Sequence, residues 1–228
     1  MDKGELSNTW DWYDRDVNGN YTYYYDWSSL PNLNYSNPDV RNYMIEMSKW
    51  WISEYDVDGF RCDAAWGIQA RWGQFWADWR AELKTLKPDV YLLAEATMSD
   101  WGILWDRFDS AMDWELYFDP NGIEQLFSNS TPSGLHDRIS NYGVDWPDYK
   151  FPFRFMENHD EDRYILHKTP EQTKTAATLL LTIPGVPMMY AGQEVGELTM
   201  RDQIQWNGDT NNMYEHYEKL LWARNNLK

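Results

Sequence analysis

Three apolar runs in this chain end in carboxylates, and the stretches between them carry the periodicity of helices. The first run, with Tyr55, Val57 and Phe60, closes in Arg61-Cys62-Asp63-Ala64. The second is Val90-Tyr91-Leu92-Leu93-Ala94-Glu95. The third, Phe151-Pro152-Phe153-Arg154-Phe155-Met156, runs into Glu157-Asn158-His159-Asp160. Strands alternating with helices require a parallel sheet with helical crossovers, so the expected fold class is α/β. Ligand sites in such folds gather at the carboxyl ends of the strands, where these acids stand.

The intervening helices are signalled locally. Asn37-Pro38-Asp39 combines a capping side chain, a proline suited to the first turn and an acid that favours the helix dipole. Val40, Met44, Met47, Trp51 and Tyr55 then form one apolar stripe to about residue 55. A helix is expected over 69–86, with Trp72, Phe75, Trp79, Leu83 and Leu86 on one face and Pro88 as the stop. Residues 110–118 read as a strand, followed by helical segments at 123–127 and 135–142. Thr169-Pro170-Glu171-Gln172 is a capping box opening a helix to Ile183, which Pro184-Gly185 ends. A last strand is expected at 186–190 and a closing helix at 213–227. Residues 1–36 are polar, show no sustained period and read as an irregular loop or small subdomain.

A formal charge of −17 argues against nucleic acid and anionic membrane surfaces, both of which select basic patches. No apolar stretch is long enough to span a bilayer, and residues 1–30 lack a signal-peptide pattern. The chain therefore opens either an intracellular protein or a piece of something longer. The single cysteine, Cys62, excludes an intramolecular disulfide and reads as a packed thiol. Fifteen Trp and 16 Tyr residues supply rings that can stack on sugars where a cleft exposes them and that otherwise build core.

Asp63 and Glu95 are 32 positions apart and Glu95 and Asp160 are 65 apart, matching one and two βα units of roughly 30 residues. The three acids are thus expected around one mouth of a curved parallel sheet. Arg61 falls on the same side of its strand as Asp63, and a neighbouring guanidinium favours a carboxylate's charged form. Paired carboxylates are the equipment for cleaving a glycosidic bond: one attacks the sugar carbon, the other donates a proton to the leaving oxygen. Taken singly, each acid also reads as a helix cap, a metal ligand or half of a structural ion pair.

Gly59-Phe60-Arg61-Cys62-Asp63-Ala64-Ala65, Leu93-Ala94-Glu95-Ala96 and Phe155-Met156-Glu157-Asn158-His159-Asp160 resemble three conserved regions of the α-amylase family, glycoside hydrolase family 13. Leu30-Pro31-Asn32-Leu33-Asn34 is similar to that family's short motif before the third barrel helix. Gly185-Val186-Pro187-Met188-Met189-Tyr190-Ala191-Gly192-Gln193-Glu194 is similar to its eighth-strand signature. The resemblance covers about residues 28–196. It implies a partial (β/α)8 TIM barrel over 37–228, with strands four to eight and their helices. Residues 1–36 would then be the remnant of the excursion after strand three.

Position by position, the resemblance implies that Asp63 is the nucleophile and Glu95 the general acid/base. Asp160 would grip sugar hydroxyls, Arg61 would orient the nucleophile and keep it charged, and His159 would hydrogen-bond the sugar. A retaining reaction on α-1,4-glucans such as starch or maltooligosaccharides follows, with the two working carboxyls about 5–5.5 Å apart. The parent enzyme would be secreted.

Three departures qualify this. Where the family often has a basic residue and a histidine after the nucleophile, Ala65-Trp66-Gly67 stand, so Trp66 either stacks on a sugar or packs under its loop. The family's third-strand Asp and Asn-His motif is missing, as is its C-terminal β-domain, which points to a fragment of a longer enzyme. In Asp14-Arg15-Asp16-Val17-Asn18-Gly19-Asn20, the alternate oxygens of Asp14, Asp16 and Asn18 resemble the opening of a calcium loop. Position twelve is Tyr25 rather than the bidentate Glu, and a solvated polar turn is the other reading. Two further functions remain open on sequence alone: a non-catalytic glucan-binding domain, and an incomplete barrel whose open edges form a homo-oligomer.

Overall fold

Asn37 caps the first helix as its place before Pro38 predicts. In the computed structural model, which describes residues 8–25, 27–140 and 150–227, its side chain accepts the Asp39 N–H at 2.9 Å, and helix α1 runs Pro38–Tyr55. Asp56, in the left-handed region at φ 50°, ends it. The chain then enters strand β1 (Gly59–Cys62), which pairs in parallel with β2 (Tyr91–Thr97) from Gly59↔Tyr91 to Cys62↔Ala94. Gly59 is obligatory for this approach, because a Cβ there would fall on the Tyr91 carbonyl oxygen.

Between these strands the expected helix at 69–86 is two helices, α2 (Ala65–Trp72) and α3 (Gln74–Leu86). The break falls at Gly73, a poor helix former, whose carbonyl also accepts from Arg107 Nε at 3.0 Å. The helix also begins four residues earlier than expected, because Ala64 turns left-handed at φ 45° directly after Asp63.

These elements belong to one of two compact units, Met1–Ala96 with Asp100–Asp109. Its core is aromatic: Phe75, Trp76, Trp79 and Phe108 pack ring against ring, with Leu83, Val90, Leu92 and Ile103 buried beside them. Trp76 and Trp79 satisfy their indole N–H groups on Ala65 O and Ser48 Oγ, at 3.0 and 2.9 Å. Asp109 pins the start of β2 by accepting the Leu92 N–H at 2.9 Å. Burial works against its charge, but Arg80 and Lys84 at 2.7 and 3.0 Å outweigh it and hold the carboxyl below its ordinary range. The segment before α1 is not structureless. Antiparallel bridges Tyr13↔Leu33, Arg15↔Tyr21 and Tyr23↔Pro31 fold it back on itself. Residues 1–7 and Asp26 of the expected 1–36 segment lie outside the described residues.

The second unit is Thr97–Ser99 with Ser110–Lys228. Its strands β3 (Ser110–Met112), β4 (Phe153–Arg154) and β5 (Val186–Pro187) pair in parallel, Met112↔Phe153 and Phe153↔Val186. The strand expected at 110–118 stops at Met112. Asp113 follows as an N-cap, accepting the Leu116 N–H at 3.0 Å, and Trp114–Phe118 forms a short helix, the apolar residues serving its buried face. No helix forms at 123–127. The Ile123 and Glu124 N–H groups are spent on the Leu116 and Tyr117 carbonyls at 2.9 and 3.2 Å, so the segment turns back on the short helix. The helix expected over 135–142 begins earlier, at Pro132, and is described to Ser140; positions 141 and 142 lie outside the described residues.

The capping box forms as expected: Thr169 Oγ1 accepts the Gln172 N–H and Gln172 returns the bond, opening a helix over Pro170–Thr182. The closing helix, Met213–Asn226, lies against it. Arg224 donates to the Leu181 and Gly185 carbonyls, and Thr178 Oγ1 meets His216 at 3.1 Å. The core holds Met112, Leu116, Phe155, Ala176, Leu180, Met213 and Tyr217. Within it Arg154 Nε pairs with Asp113 at 3.0 Å, both side chains 2% exposed. Among the described residues no helix is long and apolar enough to cross a membrane.

Candidate active site

The end of β1 and the middle of β2 bring three of the expected residues together. Arg61 points one end of its guanidinium at Asp63 and the other at Glu95, whose Oε1 lies 3.1 Å from Nη2. Glu95 Oε2 accepts the backbone N–H of Ala64. The register places Arg61 opposite Leu93, two positions before Glu95. The left-handed Ala64 turns its N–H toward Glu95, so backbone strain next to Asp63 builds part of the site. Asp63 is the most open of the three, its side chain 78% exposed.

Trp66 stands one turn beyond, in the first turn of α2, and joins a cluster of aromatic rings. Its ring lies 5.4 Å from Tyr24 and 5.5 Å from Tyr25, and Trp27 contacts both tyrosines. Gly67 leaves room for Tyr24, whose ring would come within 3.3 Å of a Cβ there. Burial, then the neighbouring Tyr25, then the Glu95 and Asp63 carboxylates push the Tyr24 phenol up, which puts the cluster beside the acids. Trp66, Tyr25 and Trp27 are all exposed. Tyr24, Tyr25 and Trp27 were not singled out from the sequence, although their density in 21–27 was the available signal.

Cys62 is packed, as its apolar setting predicts. Its thiol is pushed up to about 12 by burial. It lines an apolar cavity of about 330 Å³ with Met44, Phe60, Trp76 and Trp79.

In the second unit, His159 and Asp160 follow the end of β4. Asn158 turns the chain by accepting the Asp160 and Glu161 N–H groups at 2.8 and 2.9 Å, which lifts Asp160 to the tip. His159 Nε2 lies 3.2 Å from one Asp160 oxygen, and Arg201 pairs with the other while donating to the His159 carbonyl at 2.8 Å. Asp160 lines a cavity of about 400 Å³ together with Glu124, Glu161, Tyr164 and His167. Beneath the tip, Glu157 is buried against Arg163 at 2.8 Å and accepts the Tyr164 N–H. Arg201 was missed by sequence reasoning, since an isolated arginine in a polar stretch carries no local signature.

Asp14, Asp16 and Asn18 do not fit a calcium ion. Asp16 Oδ1 is occupied by the Asn18 and Asn20 N–H groups, each at 2.9 Å, and these bonds, led by Asn20, hold its carboxyl below the ordinary range. Asp14 faces Arg71 at 3.6 Å. Arg15 adds a positive charge to the same turn, its guanidinium between the Trp10 and Tyr21 rings and bonded to Gly19 O at 2.9 Å. Among the described residues no group of three or more His, Cys, Asp or Glu side chains could hold a metal.

The family model of the α-amylase catalytic domain matches residues 4–226. The chain belongs to the α-amylase family. It is 30% identical to a maltogenic α-amylase from Bacillus acidopullulyticus over 98% of its own length and 41% of that protein's. It is 30% identical to a cyclomaltodextrinase from Geobacillus thermopakistaniensis over 86% of its length and 34% of the relative's. Among solved structures, the type III pullulan hydrolase of Thermococcus kodakarensis superposes with a TM-score of 0.86 at 27% identity, over 99% of this chain and 44% of that one. This amylase-family chain thus spans less than half the length of these relatives, and its α/β fold of parallel strands corresponds to an incomplete barrel.

Proposed function

We propose that this chain carries the catalytic acids of a retaining glycoside hydrolase acting on α-1,4-linked glucans, within a longer enzyme. The observation that carries the reading is the Arg61 fork, which holds Asp63 and Glu95 at the two ends of one guanidinium. A shared planar partner keeps two carboxylates close and mutually oriented, the short separation that retention requires. Asp63, the more open, is the nucleophile that attacks the anomeric carbon and forms the glycosyl–enzyme bond. Glu95 gives its proton to the departing oxygen. It then takes one from the water that releases the sugar, the step for which its present role as a hydrogen-bond acceptor is suited.

Asp160 and His159 bind sugar hydroxyls, the carboxylate as acceptor and the imidazole as donor. Trp66, with Tyr24, Tyr25 and Trp27, offers ring faces to a glucose unit in place of the hydrogen bonds that a basic residue and histidine would make. The names of the relatives, a maltogenic α-amylase and a cyclomaltodextrinase, support maltooligosaccharides and cyclic maltodextrins as substrates.

Hydrolysis of maltopentaose by the full-length protein and by its Glu95→Gln and Asp63→Asn variants tests the reading. Proton NMR of the first product formed reads its anomeric configuration. Loss of turnover in both variants and an α-configured initial product are expected. Turnover retained by either variant rejects the assignment of that residue.

A further inference from the structure

We propose that Glu197 is a positioning residue that delivers Arg201 to Asp160, resting on the role assigned to Asp160 above. Glu197 is buried, and its carboxylate collects the backbone of its own loop. Oε1 accepts the Leu198 N–H at 2.9 Å, the Thr199 N–H at 3.1 Å and the Thr199 hydroxyl at 3.0 Å. Oε2 accepts the Gln205 N–H at 2.7 Å. One side chain therefore ties both ends of the 198–205 loop to a single point.

The carbonyls of the same loop are held from the other side. Arg163 donates to Thr199 O at 2.7 Å, and Tyr190 Oη donates to Met200 O at 2.6 Å. The next residue is Arg201, whose guanidinium reaches His159 O and Asp160 Oδ1. The backbone up to Met200 is fixed by four side-chain contacts, so Arg201 starts from a defined point. Without the Glu197 tie, the long arginine side chain would have to hold the loop itself and lose the conformational freedom that entails.

The space for the tie is made by Gly192, in the left-handed region at φ 92°. A Cβ there would come within 2.9 Å of the Glu197 Cβ and 3.2 Å of an Arg163 nitrogen. The Glu197 N–H in turn donates to Gly192 O at 2.9 Å. Hydrogen bonds from Gln205, Thr199 and Leu198 hold the carboxyl at about 2, so the tie remains charged throughout the neutral and mildly acid range. A residue acting in this way touches no substrate. Its effect reaches the sugar only through Arg201.

A double-variant cycle in the full-length protein distinguishes this from a general contribution to folding. Maltopentaose hydrolysis is measured for Glu197→Gln, Arg201→Ala and the two together, with crystal structures of the wild type and of Glu197→Gln. Glu197→Gln is expected to lower kcat/KM about tenfold, and the double variant to be no worse than Arg201→Ala alone. In the Glu197→Gln structure, Arg201 is expected to have left Asp160. Multiplicative losses in the cycle, or an Arg201–Asp160 pair intact in the variant structure, overturn the proposal. If the wild type fails to hydrolyse maltopentaose, it is the glycosidase reading that falls, and the crystal structures still decide the role of Glu197. Should Glu197→Gln not fold, Thr199→Val removes one of the four bonds, and the same cycle and structure are read from it.

Discussion

Arg61 and Glu95 lie 3.1 Å apart, Nη2 to Oε1, while the opposite end of the same guanidinium holds Asp63. Two acids on neighbouring strands are thereby set by one side chain, and its planar fork is the feature a substitute must reproduce. A lysine at position 61 offers a point charge that can serve one carboxylate at a time. Arg61→Lys is expected to lower kcat on maltopentaose on the order of a hundredfold, the scale of an ångström-level misplacement, with the melting temperature nearly unchanged. Steady-state kinetics beside a thermal melt check this, and a variant as active as the wild type would remove the fork from the mechanism.

The pairing of β1 with β2 depends on the missing side chain at Gly59. Gly59→Ala drives a Cβ into the Tyr91 carbonyl, against backbone that cannot yield without losing the Gly59↔Tyr91 register. A loss of about 3 kcal/mol is expected, the upper end of ordinary overpacking. Urea unfolding monitored by tryptophan fluorescence measures it.

In the second unit the buried Arg154–Asp113 pair predicts an asymmetric response. Arg154→Met leaves the Asp113 carboxylate without its nearest cation in a site where both side chains are 2% exposed. Breaking such a pair costs about 3–5 kcal/mol. Adding Asp113→Asn removes the stranded charge but keeps an oxygen for the Leu116 N–H, so the double variant is expected to regain at least half the loss. A double variant less stable than Arg154→Met would contradict this account.

Acid sensitivity follows from Glu197. Its carboxyl sits at about 2 in the folded protein against an ordinary 4.5, so the folded state binds the proton less readily than the unfolded chain. The stabilisation is complete above pH 4.5 and is lost progressively as pH falls toward 2. Between those limits Glu197→Gln should show a shallower decline in melting temperature than the wild type. Parallel curves for the two proteins would assign the acid lability to other groups.

Much of this architecture was legible because its determinants are local. Asn37 and Thr169 cap their helices through bonds spanning two or three residues, and the period of the apolar residues marks the main helices. The strands that carry or precede Asp63, Glu95 and Asp160 could be found in the same way, and the pairing of Arg61 with Asp63 spans only two positions. The errors have the opposite character. The junction of α2 and α3 at Gly73 is tied by Arg107, 34 positions away, which donates to its carbonyl. The apolar run at 110–118 divides because Asp113 caps a short helix while its charge is met by Arg154, 41 positions on.

The sequence by itself determined the main helices, the strands that carry or precede the acids and the kinship these motifs carry, since each rests on neighbours in the chain. Only the tertiary structure decided that one guanidinium would serve both Asp63 and Glu95, that Trp66 would join a cluster with Tyr24 and Tyr25, and that Arg201 would reach Asp160. Those contacts depend on register, on left-handed turns such as Ala64, and on buried charges such as Glu197. Their partners meet only when distant segments pack, and no spacing along the chain encodes the direction in which a long side chain will finally point.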